Sequence, residues 1–325
     1  LLPYYSTVLL TYGSSLSNPL SSVAGSSSSA APLQGVYPAL ALVGWYNGHP
    51  AFSHLAPDLS SVKSVSVIGH GNVALDVSRI LLKPVDQLRE TDMPESVLDV
   101  LASSKVESVT ATGRRGPAQV AFTTKEFREM IKLPGVHYSG LPQDLAEEAK
   151  LAVEGDRMRK RLLGLMEKDN AVAGDSPKRF QLDFLRSPSA FRGEGGRVKQ
   201  VEWNINELLS SSPAPPTPPS SQVDSQAKAS VVGRPTGETA VTDADLVVES
   251  VGYRSEPLGV GEEWVLPFDS ARGRVRNVGG RIVDEGGVAV SWRISKRPPL
   301  MTGTGLIRRW MGCARSSGSH CIDNA

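Results

Sequence analysis

VSVIGHGNVALD, residues 65–76, is the stretch whose reading decides the fold. Residues 62–68 alternate apolar and small polar side chains, the pattern of a strand. Gly69-His70-Gly71-Asn72 forms the turn, and Val73, Val77, Ile80 and Leu81 recur as the apolar stripe of a helix that Pro84 stops. Between strand and helix lies G-x-G-x-x-A. Gly69 permits a tight turn, Gly71 lets a pyrophosphate approach the backbone, and Ala74 lets helix and strand pack closely. The free N–H groups and positive dipole end at the helix start suit a dinucleotide's phosphates. The alternative is an ordinary strand–helix turn that happens to hold two glycines. His70 reads as a solvated loop histidine that offers its backbone.

Downstream, helix 94–102 leads to a strand at 106–112 and the corner Thr112-Gly113-Arg114-Arg115-Gly116. Folds that bind NAD place a carboxylate at this corner for the ribose hydroxyls. Here two guanidiniums stand instead, as the 2′-phosphate of NADP requires. A solvated basic turn is the competing reading. Strand, glycine turn, helix, strand and helix in succession predict a right-handed parallel α/β unit.

Further along, Thr123 and Glu126 have capping-box spacing and open a helix ended by Pro134-Gly135. Residues 143–170 read as one charged surface helix. Phe180-Leu182-Phe184, Val201-Trp203-Ile205 and 244–252 read as strands, as do residues 7–13; residues 14–34 read as loop. Residues 210–236, rich in Ser, Pro and Ala, read as a disordered insertion in a hairpin or crossover.

Composition narrows the function class. Over 325 residues, 35 basic and 34 acidic side chains leave a net charge of +1, which speaks for no nucleic-acid partner. No apolar run approaches the roughly 18 residues of a membrane helix. The two cysteines, Cys313 and Cys321, make no disulfide framework, and with His320 they lack zinc-site spacing, so no metal is expected.

Several long strings carry a resemblance. VGWYNGHP (43–50), LAPDL (55–59), IGHGNVALDVSRILL (68–82), GRRGPAQVAFTTKEFREM (113–130), FLRSP (184–188), VGYRSEP (251–257), LPFD (266–269) and GRIVD (280–284) resemble adrenodoxin reductase, the mitochondrial type of ferredoxin–NADP reductase. The resemblance implies an α/β protein: a Rossmann-like NADP-binding domain with remnants of a second, Rossmann-like FAD-binding domain. It implies a flavoprotein oxidoreductase that passes electrons from NADPH through FAD to a ferredoxin- or adrenodoxin-type iron–sulfur protein. The flavin does the chemistry, so no side chain is assigned as catalytic. Carried over by position, Gly69, His70, Gly71, Asn72 and Val73 contact NADPH phosphates, and Arg114 and Arg115 hold the 2′-phosphate. Glu126 bonds a cofactor hydroxyl or orients the arginines, and Trp292 matches a tryptophan near flavin and nicotinamide. Arg128 and Arg186 are candidates for docking the ferredoxin, with Lys178 and Arg179 as extensions. Trp45, Tyr46, Asn47 and Asp76 read as structural. A mitochondrial location, peripheral membrane association and a monomeric state complete what the family implies.

The sequence also departs from the family. Its first glycine motif, for the FAD diphosphate, is missing, and Gly303-Thr304-Gly305 follows no strand and cannot replace it. From Arg293 onward the similarity ends. The expectation is therefore a chain truncated at its N-terminus and divergent at its C-terminus, binding FAD weakly or not at all. The expected divisions are 1–19 as the end of the first FAD segment, 20–256 as the NADP-binding domain, 257–292 as a partial second FAD segment and 293–325 as a disordered tail. An NADPH-binding module without flavin or turnover is the alternative function.

Overall fold

The computed structural model describes residues 13–170, 178–210, 231–257, 267–278, 281–283, 289–294 and 307–309. The chain divides into two units, 17–252 and 1–16 with 253–325.

In the larger unit, the elements after the short strand β1 (Leu16–Ser17) alternate in type. Strand β2 (Val36–Pro38) enters α1 (Ala39–Tyr46), and β3 (Ser64–Ile68) enters α2 (Asn72–Leu82). After α3 (Val85–Leu88) and α4 (Glu95–Ala102) come β4 (Ser108–Thr112), α5 (Thr124–Ile131) and β5 (Val136–Tyr138). Helices α6 (Gln143–Ala152) and α7 (Arg157–Met166) precede β6 (Lys178–Asp183). Strands β7 (Arg186–Glu194), β8 (Arg197–Ser210) and β9 (Val231–Asp243) follow, and β10 (Leu246–Glu249) returns to the main sheet.

Six strands in the order β2-β10-β3-β4-β6-β5, all parallel, form that sheet. Its central strands are buried on both faces, which explains why β10 reads as an unbroken apolar run rather than an alternating one. Val65, Val67, Leu246 and Val248 point into the larger core with the helices. Val36, Ile68 and Val247 face a second core with Phe191, Val198, Val201 and Trp203 of the antiparallel sheet β7-β8-β9. Each such side chain contributes roughly 1.5–3 kcal/mol by leaving water. From β3 the chain steps to β4 on one side, and β10 later returns on the other. The carboxyl ends of β10 and β3 therefore flank a topological switch point, the place where open α/β sheets bind ligands.

Three expectations need correction. The stretch 143–170 is two helices, because Gly155 turns the backbone at φ 84° and Asp156 caps α7 by accepting from the Arg159 N–H. Around the Ser/Pro-rich insertion, the flanks are structured: Ser210 pairs with Val231 and Leu208 with Gly233, so the β8–β9 hairpin extends to both edges of 211–230, which lie outside the described residues. In the 293–325 stretch, Arg293 and Ile294 belong to a strand and 307–309 form another.

The described residues of the smaller unit form short antiparallel pieces. After β11 (Tyr253–Arg254), β12 (Phe268–Asp269) pairs with β13 (Arg274–Val275). Strands β14 (Asn277–Val278), β15 (Arg281–Val283), β16 (Ala289–Ile294) and β17 (Ile307–Arg309) form one sheet in that order. Trp292 lies on β16, opposite Arg309, and its side chain is outside the described residues. The strand expected at 7–13 falls almost wholly outside the described residues, as do Cys313, His320 and Cys321.

Candidate functional site

The turn after β3 is fitted between the ends of the two neighbouring strands. The Gly69 N–H donates to the Thr112 carbonyl at the end of β4, 2.7 Å away. On the other side, a β-carbon on Gly69 would lie 2.2 Å from the Ser250 carbonyl oxygen, just past β10. Gly69 also has φ +128°, so both space and backbone demand glycine. Gly71 differs. Its φ of −98° is open to any residue, and a β-carbon there would meet nothing within 4 Å. Gly71 is the N-cap of α2 and supplies no side-chain acceptor, so the first N–H groups of the helix, from Asn72 on, are left uncapped among the described residues. A bare glycine before unsatisfied amides is a cradle for an anion.

The rest of the turn is braced from within. Asn72 accepts the Thr123 N–H on its Oδ1 at 2.8 Å, tying the start of α2 to the start of α5. Thr123 caps α5 by accepting the Glu126 N–H, so one arm of the capping box forms and the other is replaced by Asn72. The His70 carbonyl accepts from Ala121, and Val73 packs partly buried against the core.

The expectation of a solvated His70 is corrected here. Its ring packs 4.7 Å from the Phe184 ring centroid, and its Nε2 lies 2.9 Å from the Ala111 carbonyl. That carbonyl can only accept, so Nε2 carries the proton. Burial, opposed by the Ala111 bond and assisted by the positive Arg115, lowers the pKa to about 4, and the imidazole is neutral. A β-carbon on Gly113 would meet the ring Nδ1 at 2.3 Å, so the glycine before the arginine pair makes room for this histidine.

Arg114 is exposed and Arg115 half-buried on the loop leaving β4. Neither has an ion-pair partner among the described residues. Burial, followed by the like charges of Arg114 and Arg159, lowers the pKa of Arg115. Arg159, on α7, donates to the Ala118 carbonyl and so ties the arginine loop to a helix. Sequence reading missed Arg159, because nothing in its local pattern places α7 against a loop some forty residues earlier. Arg159 is ion-paired with Asp156, whereas Arg114 and Arg115 have no such partner among the described residues, and a dianionic phosphate would relieve their mutual repulsion.

A polar chain, buried at Tyr46 and Asp76 and half-exposed at Glu129, runs across α1, α2 and α5. The Tyr46 hydroxyl donates to Asp76 at 2.6 Å, and Arg79 bonds Asp76 and, at 2.7 Å, Glu129. This gives Tyr46 and Asp76 a definite structural task, locking α1, α2 and α5 together. The charge of Glu126 acts on Arg79, and no ion pair joins it to Arg114 or Arg115 among the described residues.

Of the residues considered for partner docking, Arg128 is half-buried in the last turn of α5. Arg186 is ion-paired with Asp183 at 2.8 Å. Lys178 is half-buried with its Nζ 3.4 Å from the Leu82 carbonyl, and Arg179 is exposed. Among the described residues, no cluster of His, Cys, Asp or Glu could hold a metal ion, and no helix is long and apolar enough to cross a membrane.

No family model matches the chain. Individual proteins do. The chain is 38% identical over 283 residues to the mitochondrial NADPH:adrenodoxin oxidoreductase of Drosophila melanogaster, covering 86% of this chain and 53% of that protein. It is 38% identical over 290 residues to the enzyme of the same name from Bos taurus, covering 86% and 54%. It is 36% identical over 274 residues to the NADPH-ferredoxin reductase FprA of Mycobacterium tuberculosis, covering 84% and 55%. Among solved structures, FprA from Mycobacterium tuberculosis in complex with NADPH aligns with TM-score 0.66 at 35% identity, covering 86% of this chain and 55% of that one. The chain thus spans about half the length of the curated relatives it matches.

Proposed function

We propose that the chain belongs to the adrenodoxin reductase type of ferredoxin–NADP reductases over the part of their length that it spans, and that residues 17–252 form the NADPH-binding domain of such an enzyme. The diphosphate lies over Gly71 and takes the free N–H groups of Asn72 and Val73, with the backbone of Gly69 and His70 framing the turn. Arg114 and Arg115 receive the adenosine 2′-phosphate, and Glu126 bonds a ribose hydroxyl. A neutral His70 adds no charge to this site, so the anion is recognised by the two guanidiniums and the helix start.

In this reading NADPH is the electron donor, FAD the second cofactor, and Trp292 a cofactor-binding residue. The chemistry supplied by FAD, when bound, is the conversion of a hydride into single electrons. An acidic ferredoxin or adrenodoxin-type protein is the acceptor, with Arg128 and, more weakly because Asp183 already pairs with it, Arg186 on the docking face. We place the protein in the mitochondrion, as a monomer with at most peripheral membrane association. Mitochondrial relatives support the location, and a bacterial one shows that this reductase type is not confined to that compartment.

A single observation carries the proposal. Two adjacent arginines, without ion-pair partners among the described residues, stand at the strand end next to an open glycine cradle. Calorimetric titration of the folded chain with NADP⁺ and NAD⁺ tests it, with Arg114→Ala/Arg115→Ala alongside. Each lost charge-assisted contact costs about 1.5–3 kcal/mol. NADP⁺ binding should weaken at least a hundredfold in the double variant, and NAD⁺ binding only a few-fold. Equal losses for both coenzymes would remove the 2′-phosphate assignment.

A further inference from the structure

The arginine loop has supports beyond the strand it leaves. Beyond β4 it is contacted by the long β8–β9 hairpin, an element outside the nucleotide-binding unit of strand, turn and helix. Asn206 of β8 is buried, with 3% exposure, at a register irregularity between Asn204 and Asn206. Its carboxamide and backbone N–H reach both the arginine loop and the start of β7. Nδ2 donates to the Arg114 carbonyl at 3.3 Å, the backbone N–H donates to the Leu185 carbonyl at 2.7 Å, and Oδ1 accepts the Ser187 hydroxyl at 3.2 Å. Leu185, in turn, sits at φ 56° and donates its N–H to the Arg115 carbonyl at 3.4 Å.

The partner strand closes on the same atom. A β-carbon on Gly233 would lie 2.2 Å from the Arg114 carbonyl oxygen. Gly233 has no left-handed backbone, so this approach alone excludes a side chain. Next to it, Leu208 reaches to 3.2 Å from where a β-carbon on Gly116 would stand. Both strands of the hairpin therefore meet one peptide, the one joining Arg114 to Arg115. A buried amide is retained only where its hydrogen bonds are satisfied, and those of Asn206 tie the Arg114 carbonyl to the start of β7 at Leu185 and Ser187.

We propose that the β8–β9 hairpin sets coenzyme selectivity, with Asn206 and Gly233 as positioning residues that fix the Arg114–Arg115 peptide and so aim both guanidiniums at the 2′-phosphate. The proposal rests on the reading that Arg114 and Arg115 receive that phosphate. Recognition of a dianion by paired guanidiniums depends steeply on geometry, because the charge-assisted bonds require donors at about 2.7–2.9 Å. A displaced loop loses the 2′-phosphate first and leaves the diphosphate cradle at Gly71 untouched. Selectivity, rather than overall affinity, is what these residues control.

The test is equilibrium binding of NADP⁺ and NAD⁺ to wild type, Asn206→Asp, Gly233→Ala and Arg114→Ala, with thermal melts to show that each is folded. Asn206→Asp keeps shape and volume but turns an acceptor toward the Arg114 carbonyl. Gly233→Ala pushes on the same carbonyl from the other strand. Each should weaken NADP⁺ at least fivefold and change NAD⁺ less than twofold. Ser187→Ala, which frees the Asn206 carboxamide to rotate, should give a smaller loss of the same kind. Where Asn206→Asp does not yield folded protein, Gly233→Ala decides. An unchanged NADP⁺/NAD⁺ ratio in the folded hairpin variants overturns the proposal, as does an equal loss for both coenzymes. If Arg114→Ala also leaves the ratio unchanged, the 2′-phosphate reading itself fails. If it collapses the ratio while the hairpin variants do not, only the hairpin's role is refuted.

Discussion

Substituting each glycine of the turn by alanine separates folding from binding at two positions only two residues apart. At Gly69 the new β-carbon would stand 2.2 Å from the Ser250 carbonyl oxygen, with the backbone at φ +128°. A residue held in that region costs about 1–3 kcal/mol. Forcing apart the ends of β3 and β10 adds roughly 1–3 kcal/mol more, as overpacking does. Together these give about 4 kcal/mol, a fall in melting temperature of roughly 10 °C for a domain of this size. At Gly71 the backbone is already ordinary and the space is empty. Losing a glycine N-cap costs a few tenths to about 1 kcal/mol. Restricting the unfolded chain returns about 0.4–1 kcal/mol, so Gly71→Ala should melt within a few degrees of wild type. Its methyl group, however, occupies the place where the diphosphate would meet the amides of α2. One lost charge-assisted contact is worth about 1.5–3 kcal/mol, or roughly a ten- to hundredfold loss of NADP⁺ affinity. Differential scanning calorimetry and coenzyme titration on both variants supply the comparison. A Gly71→Ala protein that binds NADP⁺ as wild type does, or that melts as low as Gly69→Ala, would refute the assignment of the two glycines.

Two further predictions follow from buried groups. His70 titrates near pH 6.5 when unfolded and near 4 in the fold, so the unfolded chain binds more protons between those values. Stability should therefore fall as pH drops through that window, by up to about 3 kcal/mol, with no contribution from this group above pH 6.5. Urea unfolding of wild type and His70→Gln across pH 4–7 should show the variant losing less stability on acidification; parallel curves would contradict the packed, neutral ring. Tyr46→Phe removes a hydrogen bond to the buried carboxylate of Asp76 and should cost about 1.5–3 kcal/mol in urea unfolding at neutral pH. A change below about 0.5 kcal/mol would show that the Tyr46–Asp76 bond does not hold α1 to α2.

Much of the binding unit was legible because its signals are local. The β3–turn–α2 segment follows from alternation, two glycines and a helical stripe within some twenty residues, and Gly69 makes the tight turn that spacing assigns it. The arginine pair was legible from its place at the end of a strand. What was not legible depends on contacts distant in sequence. His70 looks like a solvated loop residue until the chain beyond β6 brings Phe184 onto its ring. Asn72 looks like a phosphate contact, yet its side chain accepts the Thr123 N–H, 51 positions later. Asn206 gives no signal at all, since an asparagine in an alternating strand reads as a surface position. The flanks of the 211–230 insertion read as low complexity because composition describes a window and strand pairing does not. Val231 and Val232 are in sheet because Ser210 and Leu209 lie opposite them.

The most direct test is a crystal structure of the folded chain with NADP⁺ bound. The account predicts the adenosine 2′-phosphate within hydrogen-bonding distance of the Arg114 and Arg115 guanidiniums, with the diphosphate over Gly71 and the first amides of α2. A dinucleotide seated elsewhere, or one whose 2′-phosphate points away from both arginines, would contradict it.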